Sequence, residues 1–218
     1  MARNLIRELD KIKKKILSLG ALVEERVRMT AKAVDERDAA LADKIIETDW
    51  EIDEMEVDIE EECLKILALH QPVAVDLRFI VSTIKINSDL ERIGDQAVNI
   101  AQRVVTIAKR PEMNFVFDYE PMCEKAEEML RMSLDALVNL DVDLALKVIT
   151  LDDEVDAMKT QAYDRIKEAI KKTPDRVGYL INLLLISRHI ERLADHATNI
   201  AEEVVYLIEG EIVRHSNL

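Results

Sequence analysis

The sequence predicts an all-α protein built as two tandem three-helix bundles of long antiparallel helices. Three observations predict it. Glycine and proline number only four each in 218 residues, so long stretches run without a backbone breaker. Aromatic residues are 4% against 49% hydrophobic, so the core has to be Leu, Ile, Val, Met and Ala, which suits helices better than sheets. A block of helix-period sequence also recurs 100 residues further along the chain.

Helix one is expected over roughly 4–34, with Asp35 and Asp38 marking a short turn. Helix two runs from about 39 to 69, and His70, Gln71 and Pro72 break it. Helix three spans about 73–109 and stops at Pro111. Residues 112–120, with Asn114, Phe115, Phe117 and Tyr119, read as the linker, dividing the chain into bundles at 1–111 and 112–218. Helix four covers about 121–140, and Asp141 is placed to cap helix five over about 142–172. Thr173 is placed to cap the last helix, with Pro174 at its first position and Gly210 as its stop. Helices near 30 residues suggest a rod-like bundle, but the heptads are too interrupted for one continuous coiled coil.

The repeat is specific. DLERIGDQAVNIAQRVV at 89–105 matches HIERLADHATNIAEEVV at 189–205 at nine of 17 positions without a gap. ETDWEIDEME at 47–56 aligns with TLDDEVDAMK at 150–159, and Pro72 corresponds to Pro174. Gly94 and Ala194 sit at matching positions beside the core face, where a small residue permits close helix approach.

The formal net charge of −14 argues against a nucleic-acid binder and against direct adhesion to anionic lipid. The lysines at 11, 13, 14 and 15 read as a solvated helix face rather than a basic patch. Cys63 and Cys123 have no metal-type spacing and read as reduced core residues. The start of the chain does not resemble a signal peptide, and the most apolar run, Leu180 to Ile186, is too short to span a bilayer. A cytoplasmic location is therefore expected. Trp50, Phe79 and Tyr179 read as packing residues.

The chemistry-bearing residues are paired acids. Asp49, Asp53, Glu56 and Glu60 continue an apolar line along helix two, and Asp152 and Asp156 repeat it in helix five. Glu91 with Asp95, and Glu191 with Asp195, are likewise four apart, about 40° around one face. Antiparallel packing lets each pair face another, so that four carboxylates converge. Such crowding needs a cation or bound protons. Hard oxygen ligands suit magnesium, manganese, iron or calcium. The other reading is neutralisation in salt bridges by Arg92, Arg192 and nearby lysines, and both stay open. Asn99 and Asn199 recur beside the acids, as hydrogen-bond donors to ligands or as interhelical bonds, and His196 adjoins Asp195. The first repeat has Gln96 where the second has His196, so the design does not require histidine. No P-loop, Rossmann glycines, nucleophile elbow, HExxH or Glu-x-x-His pair occurs, so no enzyme is expected.

With the repeated E-R-x-x-D-x-A-x-N-I-A in place, the whole chain resembles the PhoU family of phosphate-signalling regulators. The resemblance implies two three-helix bundles and an E(D)-x-x-x-D signature twice per half. Here that signature is Asp49 with Asp53, Glu91 with Asp95, Asp152 with Asp156, and Glu191 with Asp195. It implies metal ions at these acids, divalent or trivalent, with iron foremost and magnesium, manganese, calcium or zinc as alternatives. It implies action with a phosphate importer ATPase and a phosphate-sensing histidine kinase, holding starvation signalling off when phosphate is plentiful and restraining uptake. It also implies a homodimer, and membrane association only through partners. The alternatives are a metal-dependent helical enzyme or metal store, and a purely structural helical adaptor.

Overall fold

The computed structural model describes residues 2–111, 113 and 117–211, and among these there is no strand. The helices are α1 (Ala2–Glu36), α2 (Ala39–Glu47), α3 (Trp50–His70), α4 (Ala74–Ala108), α5 (Glu120–Asn139), α6 (Val142–Lys172) and α7 (Val177–Glu209). The fold is all-α with long antiparallel helices, as expected, but the expected second helix is divided into α2 and α3. Of the expected linker, residues 112, 114, 115 and 116 lie outside the described residues. Its far end is tethered, because Tyr119 stacks edge-on with Phe117 at 5.1 Å and donates its hydroxyl to Leu183 O at 2.7 Å.

Local chemistry sets the helix ends. The Asp38 carboxylate accepts from the N–H groups of Ala40 and Leu41, and Asp141 accepts from Leu144 N at 3.0 Å, so both cap the helices they precede. Gln71 and Leu140 close α3 and α5 in the left-handed region. Thr173 does not cap the last helix. Its hydroxyl turns back to Ala169 O, and Pro174–Arg176 form a 3-10 turn before α7 begins.

The break at Thr48–Asp49 has a visible cause. The Thr48 hydroxyl donates to Lys44 O at 2.8 Å, a back-bond that bends helices. Arg26 of α1, only 3% exposed, fills the bend. Its Nη1 donates to Ile45 O at 2.9 Å, the carbonyl that Asp49 N–H would take in an unbroken helix, and to the Thr48 hydroxyl. Its Nη2 donates to Thr48 O at 3.2 Å and to Glu51 at 3.1 Å. The equivalent stretch of α6 is unbroken.

The two halves share one apolar core. α4 and α7 lie antiparallel along the seam, because Lys85 meets Glu203, Asp89 meets His196, and Gln96 meets His189, in opposite chain order. α1 crosses to α5, where Gly20 faces Leu134. Cys63 and Cys123 are free and buried, and burial pushes both thiols up to about 12, so they are inert packing residues. Tyr179 is buried and Phe79 packs on the core, but Trp50 is 59% exposed at the start of α3, against expectation.

Candidate functional site

The acids of the first half gather between α3 and α4. Asn87 donates to Glu56 O at 2.8 Å, and Gly94 lies against Ile52 and Asp49. That register sets Asp49 opposite Asp95, and Asp53 opposite Glu91. A Cβ at Gly94 would stand 3.0 Å from Ile52 Cδ1 and 3.8 Å from Asp49 Oδ1, so the missing side chain lets the helices close over the acids.

Electrostatics shows the crowding. Desolvation, then the charges of Asp53 and Asp95, push the Asp49 carboxyl up to about 6, with Arg26 pulling the other way. Glu91 is raised by desolvation and by Asp95, Asp53 and Glu56. Glu56 is raised by desolvation, Glu60 and Asp53. None of Asp49, Asp53, Glu56, Glu91 and Asp95 is ion-paired among the described residues; the nearby Arg26 pairs with Glu51 instead.

The second half differs by one substitution. Lys159 stands where the first half has Glu56. Its ammonium lies 2.5 Å from Glu191 and 3.3 Å from Asp156, and the Glu191 bond is the main reason its own pKa is raised. Asp152 is raised by desolvation and Asp156, against a hydrogen bond from Thr198 at 3.3 Å. Asp195 is pushed up to about 6 by desolvation, then Glu191, Asp152 and Asp156. The two readings of the acids thus divide between the halves. The second set has a built-in cation, supplied by Lys159 and not by Arg192. The first has none.

The structure gives each of the residues expected beside the ligands a hydrogen-bond partner. Asn99 donates to Asp95 O, within its own helix, at 2.9 Å. Asn199 and His196 both reach Asp89 across the seam, at 3.2 and 2.9 Å. Seven residues away along each helix, about two turns, His189 Nδ1 donates to Gln96 at 2.9 Å. The Asp/His and Gln/His differences between the aligned repeats are therefore complementary. Asp89 and Arg26 organise the surroundings of the acids in ways that the sequence reading does not name. Asp89 was signalled by that pairing of differences. Arg26 was signalled by its place in the buried series Leu19, Val23, Arg26, Thr30 and Ala33.

The donor chemistry of the first set suits a hard cation. As the side chains stand, however, no group of three or more acids, histidines or cysteines among the described residues is arranged to hold a metal ion.

A tandem helical repeat with a shared core and crowded acid pairs defines a helical-bundle protein. The PhoU domain model matches residues 16–104 and 120–204, and the chain belongs to the PhoU family of phosphate-transport regulatory proteins. The PhoU homolog of the phosphate-specific transport system from Aquifex aeolicus is 38% identical over 214 residues, 98% of this chain and 97% of that one. The homolog from Pseudomonas aeruginosa is 37% identical, over 97% of this chain and 88% of that one. The crystal structure of PhoU from Pseudomonas aeruginosa superposes with a TM-score of 0.90 at 36% identity, covering 94% of this chain and 99% of the other. The phosphate transport system regulatory protein PhoU from Streptococcus pneumoniae gives 0.84 at 31% identity, over 96% and 99%. No helix among the described residues is long and apolar enough to cross a membrane.

Proposed function

We propose that this chain is a negative regulator of phosphate-starvation signalling and a modulator of phosphate uptake, acting by contact with a phosphate importer ATPase and a phosphate-sensing histidine kinase. The observation that carries the reading is the match to PhoU proteins along nearly the whole chain, in sequence and in fold. The working unit is a homodimer, reaches the membrane only through those partners, and divides into bundles at 1–111 and 112–218. The test is deletion in the native host. Starvation genes should switch on in phosphate-rich medium and fall silent again when the wild-type gene is restored. Unchanged expression in the deletion strain would remove the reading.

Metal ions belong to the same proposal. Asp49, Asp53, Glu91 and Asp95 are the first set to take a divalent or trivalent ion, with iron, magnesium, manganese, calcium and zinc as the candidates. The support is five crowded carboxylates, Glu56 included, with no ion-paired cation. Asp152, Asp156, Glu191 and Asp195 form the second set, where Lys159 has to leave Glu191 first. A bound ion would supply positive charge that holds two helix faces together. The chain's own residues set where that happens, by the α3–α4 closure at Gly94 and the bend that carries Asp49.

A further inference from the structure

The two ends of the α4–α7 seam are equivalent under the repeat. At one end, Gly178 near the start of α7 faces Arg110 just past the end of α4, whose Nη1 lies 3.6 Å from where a Cβ would stand. At the other, Arg78 near the start of α4 faces Gly210 just past the end of α7, at 2.6 Å by the same measure. Arginine and glycine have changed places across the 100-residue offset, and the meeting of helix start with helix end is the same.

The two ends are covered differently. The chain that leaves α4 turns back over the first end. Met113 and Phe117 pack on the core there, and Tyr119 is buried with its hydroxyl on Leu183 O at 2.7 Å. The matching surface at the second end borders a cavity of about 440 Å³. Its lining includes Phe79 and Thr83, the counterparts of Tyr179 and Leu183, with Leu207 and Ile208 from the end of α7. Val75, also on the lining, is 61% exposed. The charged lining residues are two acids, Asp10 and Asp76, and two bases, Lys13 and Arg78, so the cavity favours neither sign and suits an apolar occupant.

Position identifies that occupant. The chain leaves α7 through the left-handed Gly210, against Arg78 of the lining. Glu211, Ile212, Val213 and Arg214 follow, an apolar pair between opposite charges. Val213 aligns with Met113, the first residue after α4 that packs on the core. Three extended residues span about 10 Å, and Leu207 and Ile208 lie within the turn before Gly210. Ile212 and Val213 are therefore within reach of the lining. Residues 212–218 lie outside the described residues.

We propose that the segment following α7 docks in this cavity, with Ile212 and Val213 against its apolar lining, as the segment following α4 covers the other end. Both ends of the seam are then closed by the chain leaving the outgoing helix.

The test adds thiols to the full chain, where Cys63 and Cys123 are buried and do not compete. Val75→Cys with Val213→Cys, treated with a short bismaleimide, should crosslink within one chain at least tenfold faster than Ile181→Cys with Val213→Cys. Ile181 is 45% exposed and stands about 40 Å along α7 from Gly210. Adding Ile212→Asp and Val213→Asp to Val75→Cys should speed maleimide labelling at position 75 at least fivefold. Val75 and Ile181 are both exposed, so these changes leave the core intact. Equal crosslinking by the two pairs, or labelling that the two aspartate substitutions leave unchanged, overturns the proposal. So does crosslinking only between chains and rising with concentration, since the cavity then faces a second copy.

Discussion

At the residue scale, one buried polar group does work that the surface charges do not. Arg26 satisfies carbonyls that the α2–α3 break leaves open, and stripping it leaves buried acceptors without donors. Arg26→Met should therefore cost about 2–4 kcal/mol, read by urea denaturation. A loss under 0.5 kcal/mol, the scale of a surface substitution, would mean that water fills the bend instead. The acids make a pH prediction. Desolvation and crowding push the Asp49 and Asp195 carboxyls up to about 6 in the folded chain, above the ordinary aspartate value of 3.8. Raised acids bind protons more tightly when folded, so their contribution is present below the unfolded value and is lost as pH rises through the folded one. Chelator-treated protein should accordingly be more stable at pH 5 than at pH 7, and Asp49→Asn should flatten part of that slope. A slope that Asp49→Asn leaves unchanged would refute the assignment of the crowding. The paired acids were legible because i, i+4 spacing is a one-dimensional property. The partner of each acid was not: Glu56 against Lys159 is a single difference in the aligned repeats, and only the register of α6 on α7 shows that the lysine reaches Glu191.

Individual helices follow from punctuation and small residues. Asp38→Ala removes the acceptor for two N–H groups and should cost about 1 kcal/mol in thermal or urea melts. Gly94 tests the α3–α4 approach more sharply. An added methyl meets Ile52 Cδ1 at 3.0 Å, the movable tip of a side chain, while alanine recovers about 1 kcal/mol of helix propensity. The second half already carries Ala194, fully buried. Gly94→Ala should therefore be near neutral, whereas Gly94→Leu should destabilise by more than about 2 kcal/mol, within the range for overpacking. Equal stability of the two variants would show that the helices are not in close contact there. Five of the expected six helices stand close to where proline, glycine and aspartate placed them. The sixth was broken, because a threonine back-bond leaves no mark in hydrophobic periodicity, and its filler comes from α1. The Thr173–Pro174 start was misjudged for a similar reason: Thr173 found a carbonyl behind it before any N–H ahead.

The whole molecule is two unlike copies of one bundle sharing a core. The α4–α7 seam carries Lys85–Glu203, Asp89–His196 and Gln96–His189 in sequence, so the copies are locked by polar pairs within an apolar contact. The repeat announced the copies but not their packing, since nothing in a single helix says which neighbour its second face will meet. The halves also carry unlike acid sets, one with its own lysine and one without. On the proposed function, the chain is a regulator that binds its partners, and the first acid set holds the face they read. The direct measurement is binding of the purified chain to the importer ATPase and the sensor kinase, metal-loaded against chelated, for wild type, Glu91→Gln/Asp95→Asn and Glu191→Gln/Asp195→Asn. Binding by the loaded wild type that drops at least tenfold on chelation, and drops likewise in the first variant with less effect in the second, is the predicted result. Binding to neither partner, or equal binding by all three proteins with and without metal, would contradict it.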